Sequence, residues 1–355
     1  MTAPTVPARP DPGARLRPVP WRRMAWVTWR QHQLALIWVT GLLGALALWL
    51  WAIGLQLHRA YAAAVTCHPA ASIACSDLVF GFNSRDTFLS NGYVLQAIPA
   101  LIGAFAGAPV LARELETGTF RYAWTQGFGR WRWTLAKLVP LAVVVTAAAG
   151  AFGVLLSWYY QPYVASQNLS LTEWSPLSGG LFDLRGVVFA AWTLAAFAIG
   201  SLAGLLIRRV VPAIVATLAA YAALAVAAGL YLRPHYLRPL VIRNLINPPG
   251  SAWVVGQWWT MGGRFAFAGD RDAGGMPPMN YLQQVCPHIA PAAATGKLSP
   301  TAVVQCFSRH GYTLLTSYQP SSRFWPFQWI ESGWLVALSA LLIATTAWLV
   351  RRRAI

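Results

Sequence analysis

Six long apolar runs, spread along the sequence, constrain the fold of this chain more than any other feature. Each is close to the ~20 residues that a helix needs to cross a hydrocarbon layer about 30 Å thick. Only 10% of the residues are charged and 57% are hydrophobic, whereas about 25% are charged in soluble domains. The sequence therefore predicts an all-α membrane protein with six transmembrane helices, at residues 34–55, 94–111, 138–158, 187–207, 210–232 and 327–350.

The segment that joins the second and third runs, residues 112–137, predicts the orientation in the membrane. It is basic and rich in aromatic residues. The pair at 208–209 and the C-terminal cluster at 351–353 consist of arginine and are also basic. Cytoplasmic loops carry an excess of Lys and Arg, so we expect all three segments in the cytoplasm. Both termini are then cytoplasmic, and most of the net charge of +17 lies on the inner side.

The predicted spans divide the chain into five parts. Residues 1–20 are rich in Pro, Ala and Arg without an apolar face, which is typical of a disordered cytoplasmic tail. Residues 21–31 place Trp next to Arg and predict an interfacial helix on the inner leaflet; the alternative is a basic flank of the first span. Residues 32–232 hold spans one to five, 233–326 form a large extracellular loop, and 327–355 hold the sixth span and the basic C-terminus.

All four cysteines fall in the two loops that are expected outside. Cys67 and Cys75 lie in the first loop, and Cys286 and Cys306 in the second. In an oxidising exterior we expect the bridges Cys67–Cys75 and Cys286–Cys306, although four cysteines allow three pairings. The alternative is four free thiols in a reducing compartment. A zinc site is not expected, because neither loop has a paired C-x-x-C motif.

The sequence lacks the motifs of common hydrolases and of ATP-driven motors. It contains no H-E-x-x-H and no G-x-S-x-G, and Gly296-Lys297 is followed by Leu298 rather than the Ser or Thr of a P-loop. Any ATP would have to be held by another chain. Glu331 is the one acid within an apolar run, and its place near the outer end, close to Arg323 in sequence, favours an interfacial position over ion coupling.

The segment after the second run also carries a motif. Residues 113–119 read R-E-L-E-T-G-T, and Trp124-Thr125-Gln126 follow before the third run begins. This resembles the R-E-x-E-x-G-T signature of ABC type-2 exporter permeases, the membrane-spanning subunits of ATP-driven exporters. The six spans, the interfacial helix and the large outer loop are also similar to that family, especially to its actinobacterial members.

The resemblance implies a function and partners. In such permeases a coupling helix after the signature rests on a separate ATPase subunit, which holds ATP and Mg²⁺, and two permease chains, identical or paralogous, pair in the bacterial cell membrane. No catalytic residue, metal or nucleic acid is implied for this chain. The resemblance assigns the ATPase contact to Glu114, Glu116, Gly118, Thr119, Arg121 and Trp124, and a substrate path along spans two and five to Gly103, Gly107 and Tyr221.

The matched positions leave alternatives open. Gly103 and Gly107 are spaced as G-x-x-x-G, which also favours close packing of membrane helices. Phe128-Gly129 departs from the Pro-containing turn of many relatives. A membrane-embedded enzyme, such as a lipid-modifying transferase, would draw on Asp270, Asp272 and His288 of the outer loop, and a non-transporting sensor would use the same loop to bind a ligand or protein.

Overall fold

The structure is a computed structural model of the chain, and it describes residues 21–68, 72–84, 92, 94–118, 130–165, 175–246, 248, 251–270, 274–294 and 298–352. The described part contains six helices that are long and apolar enough to cross a membrane, and each overlaps a predicted run. The six predicted spans are confirmed in number. They are Thr40–Thr66, Ala97–Thr117, Trp131–Tyr159, Val188–Ile207, Val210–His235 and Ser321–Arg352.

The first span is the end of a longer helix, Trp21–Thr66. Its 46 residues correspond to roughly 70 Å of helix, about twice the thickness of the hydrocarbon layer. Residues 21–31, predicted as a separate interfacial helix, are continuous with the first span in this backbone. How they lie against the lipid surface stays a prediction, and the predicted tail at 1–20 lies outside the described residues.

Span four lies at the centre of the bundle and contacts spans two, three, five and six. It is apolar around its whole circumference, as expected of a helix surrounded by other helices. Span two packs along it in three parts, the α-helix Ala97–Ile102, the π-helical segment Gly103–Gly107 and the α-helix Ala108–Thr117. Span three belongs to the helix Arg130–Tyr159.

A two-residue turn joins spans four and five, as the sequence predicts. Arg208 adopts a left-handed conformation with φ 61° and donates its backbone N–H to the Gly204 carbonyl at 3.1 Å. Span five then runs as the α-helix Val210–Ala227, the π-helical segment Ala228–Leu232 and the 3-10 turn Arg233–His235. Two connecting residues leave no room for anything but an antiparallel pair of neighbouring helices.

The region between spans five and six contains a sheet that the all-α prediction missed. Four antiparallel strands lie in the order β1-β4-β2-β3. The tight turn Gly262-Gly263, with φ 59° and 79°, joins β2 to β3, because two positive φ angles favour glycine. The strands are β1 Leu240–Arg243, β2 Trp253–Met261, β3 Arg264–Ala268 and β4 Tyr312–Gln319.

Helices cover one face of this sheet. Trp259 of β2 and Phe307 of the helix Pro300–Arg309 are fully buried at this contact, with ring centroids 4.8 Å apart. The prediction of an all-α protein therefore holds for the membrane part and fails for residues 233–326. The remaining short helices of the described chain are Ile73–Ser84, Gln161–Ala165, Gly179–Phe182, Met279–Val285 and Ala290–Ala294.

The antiparallel spans give the bundle two ends, which we name by what they carry. The elbow end holds the start and the end of the segment 112–137, and the sheet end holds the strands. Gln96, before span two, donates to the Gly179 carbonyl before span four at 2.6 Å, which fixes their shared end. Both cysteine pairs lie at the sheet end, with Cα atoms 5.7 Å apart in Cys67–Cys75 and 6.3 Å apart in Cys286–Cys306. The predicted pairing is confirmed.

Candidate functional site

At the elbow end, a salt bridge ties span two to span three. Lys137 pairs with Glu114, and the two side chains are only 6% and 18% exposed. The Lys137 ammonium also lies 4.5 Å from the centroid of the Trp133 ring, a cation–π geometry. The second carboxylate oxygen of Glu114, Oε2, is buried and meets no hydrogen-bond partner among the described residues. Glu114, predicted as an ATPase contact, thus has an internal partner for one oxygen.

Glu116 connects the same segment to span five. Its Oε2 accepts a hydrogen bond from the backbone N–H of Val210, the first residue of span five, at 3.2 Å. A carboxylate at this position satisfies a free N–H and opposes the positive end of the helix dipole. Gly118 then ends the helix of span two with φ 73°, a left-handed conformation that favours glycine.

Three of the predicted ATPase contacts, Thr119, Arg121 and Trp124, lie outside the described residues, as does Phe128-Gly129. The described part of the elbow therefore consists of its two flanks. These flanks bind spans two, three and five to one another through Glu114 and Glu116. A force applied to the elbow would act on all three spans.

Gly103 and Gly107 face span four. A Cβ atom at Gly103 would lie 2.5 Å from the Ala196 backbone, and one at Gly107 would lie 2.7 Å from the Phe197 carbonyl. Gly200 of span four lies opposite Gly103, and a Cβ atom at Gly200 would lie 2.3 Å from the Gly103 carbonyl. These glycines let the two backbones touch, as small residues do in membrane helices. Their place in this seam agrees with the close-packing alternative rather than with a lining of the cavity described below.

A buried charge cluster lies at the sheet end. Arg233, at the end of span five, is 2% exposed and donates to Glu331 of span six through Nε at 3.0 Å and Nη2 at 2.7 Å. Its Nη2 also pairs with Asp183, which precedes span four. Tyr236 and Trp192 complete the shell of Glu331, donating at 3.1 Å and 2.9 Å.

The cluster corrects the expectation for Glu331. That side chain is fully buried and paired with Arg233, whereas Arg323 binds the Arg238 carbonyl at 2.7 Å and the Gln319 side chain at 2.5 Å. Burial of a charge is costly unless it is paired and hydrogen-bonded. Glu331 therefore pairs with Arg233 rather than with Arg323 and joins three spans, and its depth in the membrane stays a prediction.

Beside this cluster is a cavity of about 390 Å³ between spans two, four and five. The predicted path residue Tyr221 lines it, together with Trp192, and the two rings meet edge to face with centroids 5.4 Å apart. Gln96 and Asp183 supply polar groups at the sheet end. The remaining lining is apolar: Ala97, Pro99, Ala100, Phe189, Leu218, Ala222 and Ala225.

Asp183 differs from the other two members of the cluster because its side chain is 23% exposed. Burial raises the pKa of Asp183 to about 7, Arg233 opposes this rise, and Glu331 adds to it. A further positive charge beside Asp183 would favour its ionised form.

The residues named for an enzyme site fall partly outside the described chain. Asp270 and His288 are exposed on the sheet region, and Asp272 lies outside the described residues. Asp270 pairs through its backbone with Met276. In the described chain, the buried charged side chains Lys137, Arg233 and Glu331 and the 390 Å³ cavity lie in the helix bundle.

Comparison with known protein families gives a match that covers most of the helix bundle. The family model described as "ABC-2 membrane transporter related" matches residues 40–233, more than half of the chain. The match includes spans one to five, the elbow and Arg233, and stops before the sheet. No curated protein and no solved structure shows significant similarity to the chain. The chain thus belongs to the ABC-2 membrane transporter related family, and its six apolar helices make it a multi-pass membrane protein with a transport role.

Proposed function

We propose that this protein is the membrane-spanning subunit of an ATP-driven exporter, in which two permease chains, identical or paralogous, sit on two ATPase subunits bound at the elbow end. The observation that carries the proposal is the family match over residues 40–233, which contains the R-E-L-E-T-G-T motif at 113–119. ATP and Mg²⁺ would be held by the ATPase, because this sequence has no P-loop.

The contacts of the elbow suggest how movement would pass across the membrane. Glu116 holds the first residue of span five, Val210, and Arg233 holds the last turn of the same span to Glu331 and Asp183. The helix between Val210 and Arg233 is roughly 35 Å long at 1.5 Å per residue. A push from the ATPase on the elbow would move span five as a rod, and the middle of this span borders the cavity.

The orientation follows from charge and redox chemistry. The elbow end carries Arg208, Arg209 and the arginines at the end of span six, a distribution that favours the cytoplasmic side. The sheet end carries both cysteine pairs, which form disulfides in an oxidising exterior. In the proposed arrangement ATP-driven closure at the elbow end opens the path toward the sheet end and the outside.

A site-specific crosslink tests the ATPase contact. Thr117 is exposed on the flank of the elbow and Phe265 is exposed on β3. A photoreactive amino acid at Thr117, in the full chain in its native membrane, should capture a subunit that contains an ABC ATPase domain. The same group at Phe265 should not. Capture of the ATPase from Phe265 alone, or from neither position, would contradict the proposal.

Membrane sidedness can be tested with the same two positions. A Thr117→Cys variant should react with an impermeant maleimide only after the membrane is permeabilised, whereas Phe265→Cys should react in intact cells. Labelling of Thr117→Cys in intact cells would place the elbow outside and remove the basis for ATPase coupling.

A further inference from the structure

The cavity at the sheet end has the size and the lining of a binding site. Its volume of about 390 Å³ lies within the ~300–1,000 Å³ typical of small-molecule pockets. It is bordered by Trp192 and Phe189 of span four and by Tyr221 of span five. Spans two and five, which border the cavity, contain the π-helical segments Gly103–Gly107 and Ala228–Leu232. Such segments are frequent at functional sites.

The charge next to the cavity is unbalanced. Asp183 and Glu331 share one cation, Arg233, so the ionised cluster carries an excess negative charge. Glu331 is saturated, since its two oxygens accept from Arg233, Trp192 and Tyr236.

Asp183 is less well satisfied than Glu331. Its Oδ1 pairs with Arg233, its Oδ2 receives a long contact of 3.4 Å from Gln96, and the Glu331 carboxyl group lies within hydrogen-bonding reach of it. Both Asp183 and Gln96 line the cavity. Arg185, the next cation along the chain, lies 5.1 Å from the centroid of the Phe324 ring and is not part of the lining. The spare negative charge therefore belongs to a carboxylate oxygen beside the cavity.

The aromatic walls suit the same kind of ligand. Trp192 and Tyr221 expose ring surface to the cavity, and aromatic rings attract cations within about 6 Å of their centroids. The Tyr221 side chain is 9% exposed, and its ring meets that of Trp192 edge to face.

We infer that this cavity binds one organic cation, an ammonium or phosphonium centre on an apolar body, with the charge against Asp183 and the apolar body against Trp192 and Tyr221. The inference deepens the proposed function, because the cation would be the transported substrate class. Binding itself does not depend on the ATPase and can be measured on the purified full chain.

Two probes of the same shape and opposite charge provide the test. Tetraphenylphosphonium and tetraphenylborate are measured by equilibrium dialysis against the purified chain in a non-ionic detergent, with protein-free micelles subtracted. We expect saturable binding of the phosphonium, and at least an approximately tenfold weaker affinity in Asp183→Asn. Tetraphenylborate should bind poorly and should not be weakened further by this substitution. No saturable phosphonium binding, or equal affinities in the wild type and Asp183→Asn, would overturn the inference.

A second variant covers the case in which Asp183→Asn fails to fold. Ala222 lines the cavity and is exposed at its rim, so Ala222→Trp fills the space without disturbing the charge cluster. This variant should lose phosphonium binding while it keeps the elution profile and unfolding midpoint of the wild type. Undiminished phosphonium binding by Ala222→Trp would place the ligand elsewhere and overturn the inference.

Competition separates the two sources of such a cation. Displacement of the phosphonium by 2-phenylethylamine identifies a free organic amine, and displacement by phosphatidylethanolamine in the micelle identifies a lipid headgroup; both support a cation site. Displacement by neither contradicts it. Cation binding without a captured ATPase would leave this site standing and remove the exporter proposal, so the two can fail separately.

Discussion

The two ends of the bundle both use ion pairs to join helices, but they bury them to different extents. At the sheet end the pair Arg233–Glu331 is dry, with side chains 2% and 0% exposed, although Asp183, the second partner of Arg233, is 23% exposed. At the elbow end Lys137 and Glu114 are 6% and 18% exposed, and Glu116 is open to solvent. A dry pair is expensive to break, whereas a hydrated one rearranges easily. The comparison indicates a fixed anchor at the sheet end and an adjustable connection at the elbow, where an ATPase would act.

The largest effect should come from the anchor. Arg233→Met leaves Asp183 and Glu331 without their cation, and loss of one partner of a buried pair costs about 3–5 kcal/mol. We expect that decrease in the free energy of unfolding, measured by denaturant titration in mixed micelles. The exposed Arg238 provides the control, since Arg238→Met should change stability by no more than about 0.5 kcal/mol. Equal stability of the two variants would refute the distinction between the ends.

Substitution at the glycine contact between spans two and four should reduce stability nearly as much. In Gly200→Ala the new Cβ would lie 2.3 Å from the Gly103 carbonyl, so spans two and four must separate. Overpacking of this kind costs about 1–3 kcal/mol, and contact with rigid backbone favours the upper part of that range. Gly333→Ala is the matched control, because no heavy atom lies within 4 Å of its Cβ. A similar unfolding midpoint for both alanine variants would show that spans two and four can separate without a loss of stability.

The salt bridge at the elbow end should contribute less than the anchor. Lys137→Met removes the partner of a partly exposed Glu114, which can recruit water, and we expect a loss of about 1–2 kcal/mol. Arg132→Met, at an exposed position on the same helix, should cost about 0.5 kcal/mol or less. A loss as large as that of Arg233→Met would mean that the elbow is anchored as firmly as the sheet end.

The smallest effect should come from Glu116. Glu116→Ala removes the acceptor for the Val210 N–H, and loss of an exposed helix cap costs about 1 kcal/mol or less. The change should be local, with faster hydrogen exchange in the first turn of span five and little change in the unfolding midpoint. Glu116→Gln keeps an acceptor oxygen and should retain most of the protection. Unchanged exchange in Glu116→Ala would argue against the connection between elbow and span five.

Local sequence signals predicted the parts of the fold that depend on neighbouring residues. The lengths of the apolar runs predicted six spans, and Arg208-Arg209 predicted the tight turn, whereas the second span continues to Thr117, beyond the predicted end at residue 111. The cysteine pairs, only 8 and 20 residues apart, were also accessible to this reasoning.

The charge cluster and the sheet depend on distant residues. Arg233 and Glu331 are 98 positions apart, and their pairing requires that spans five and six meet at one end. One signal was present, since Arg233 directly follows the fifth run and Glu331, of opposite charge, lies within the sixth. The strands were hidden by the prolines and glycines between them, although Trp253–Met261 and Tyr312–Gln319 are rich in β-branched and aromatic residues.

The short connection between β4 and the sixth span has a mechanical consequence. The strand ends at Gln319 and the helix begins at Phe324, while Gln319 donates to the Leu237 carbonyl at 2.7 Å and Arg323 to the Arg238 carbonyl. The sheet region is thereby attached to the sheet-end termini of spans five and six and must tilt when these helices tilt. A small rotation of the helices would therefore produce a larger displacement of the sheet. A spectroscopic label on its edge strand would report this displacement.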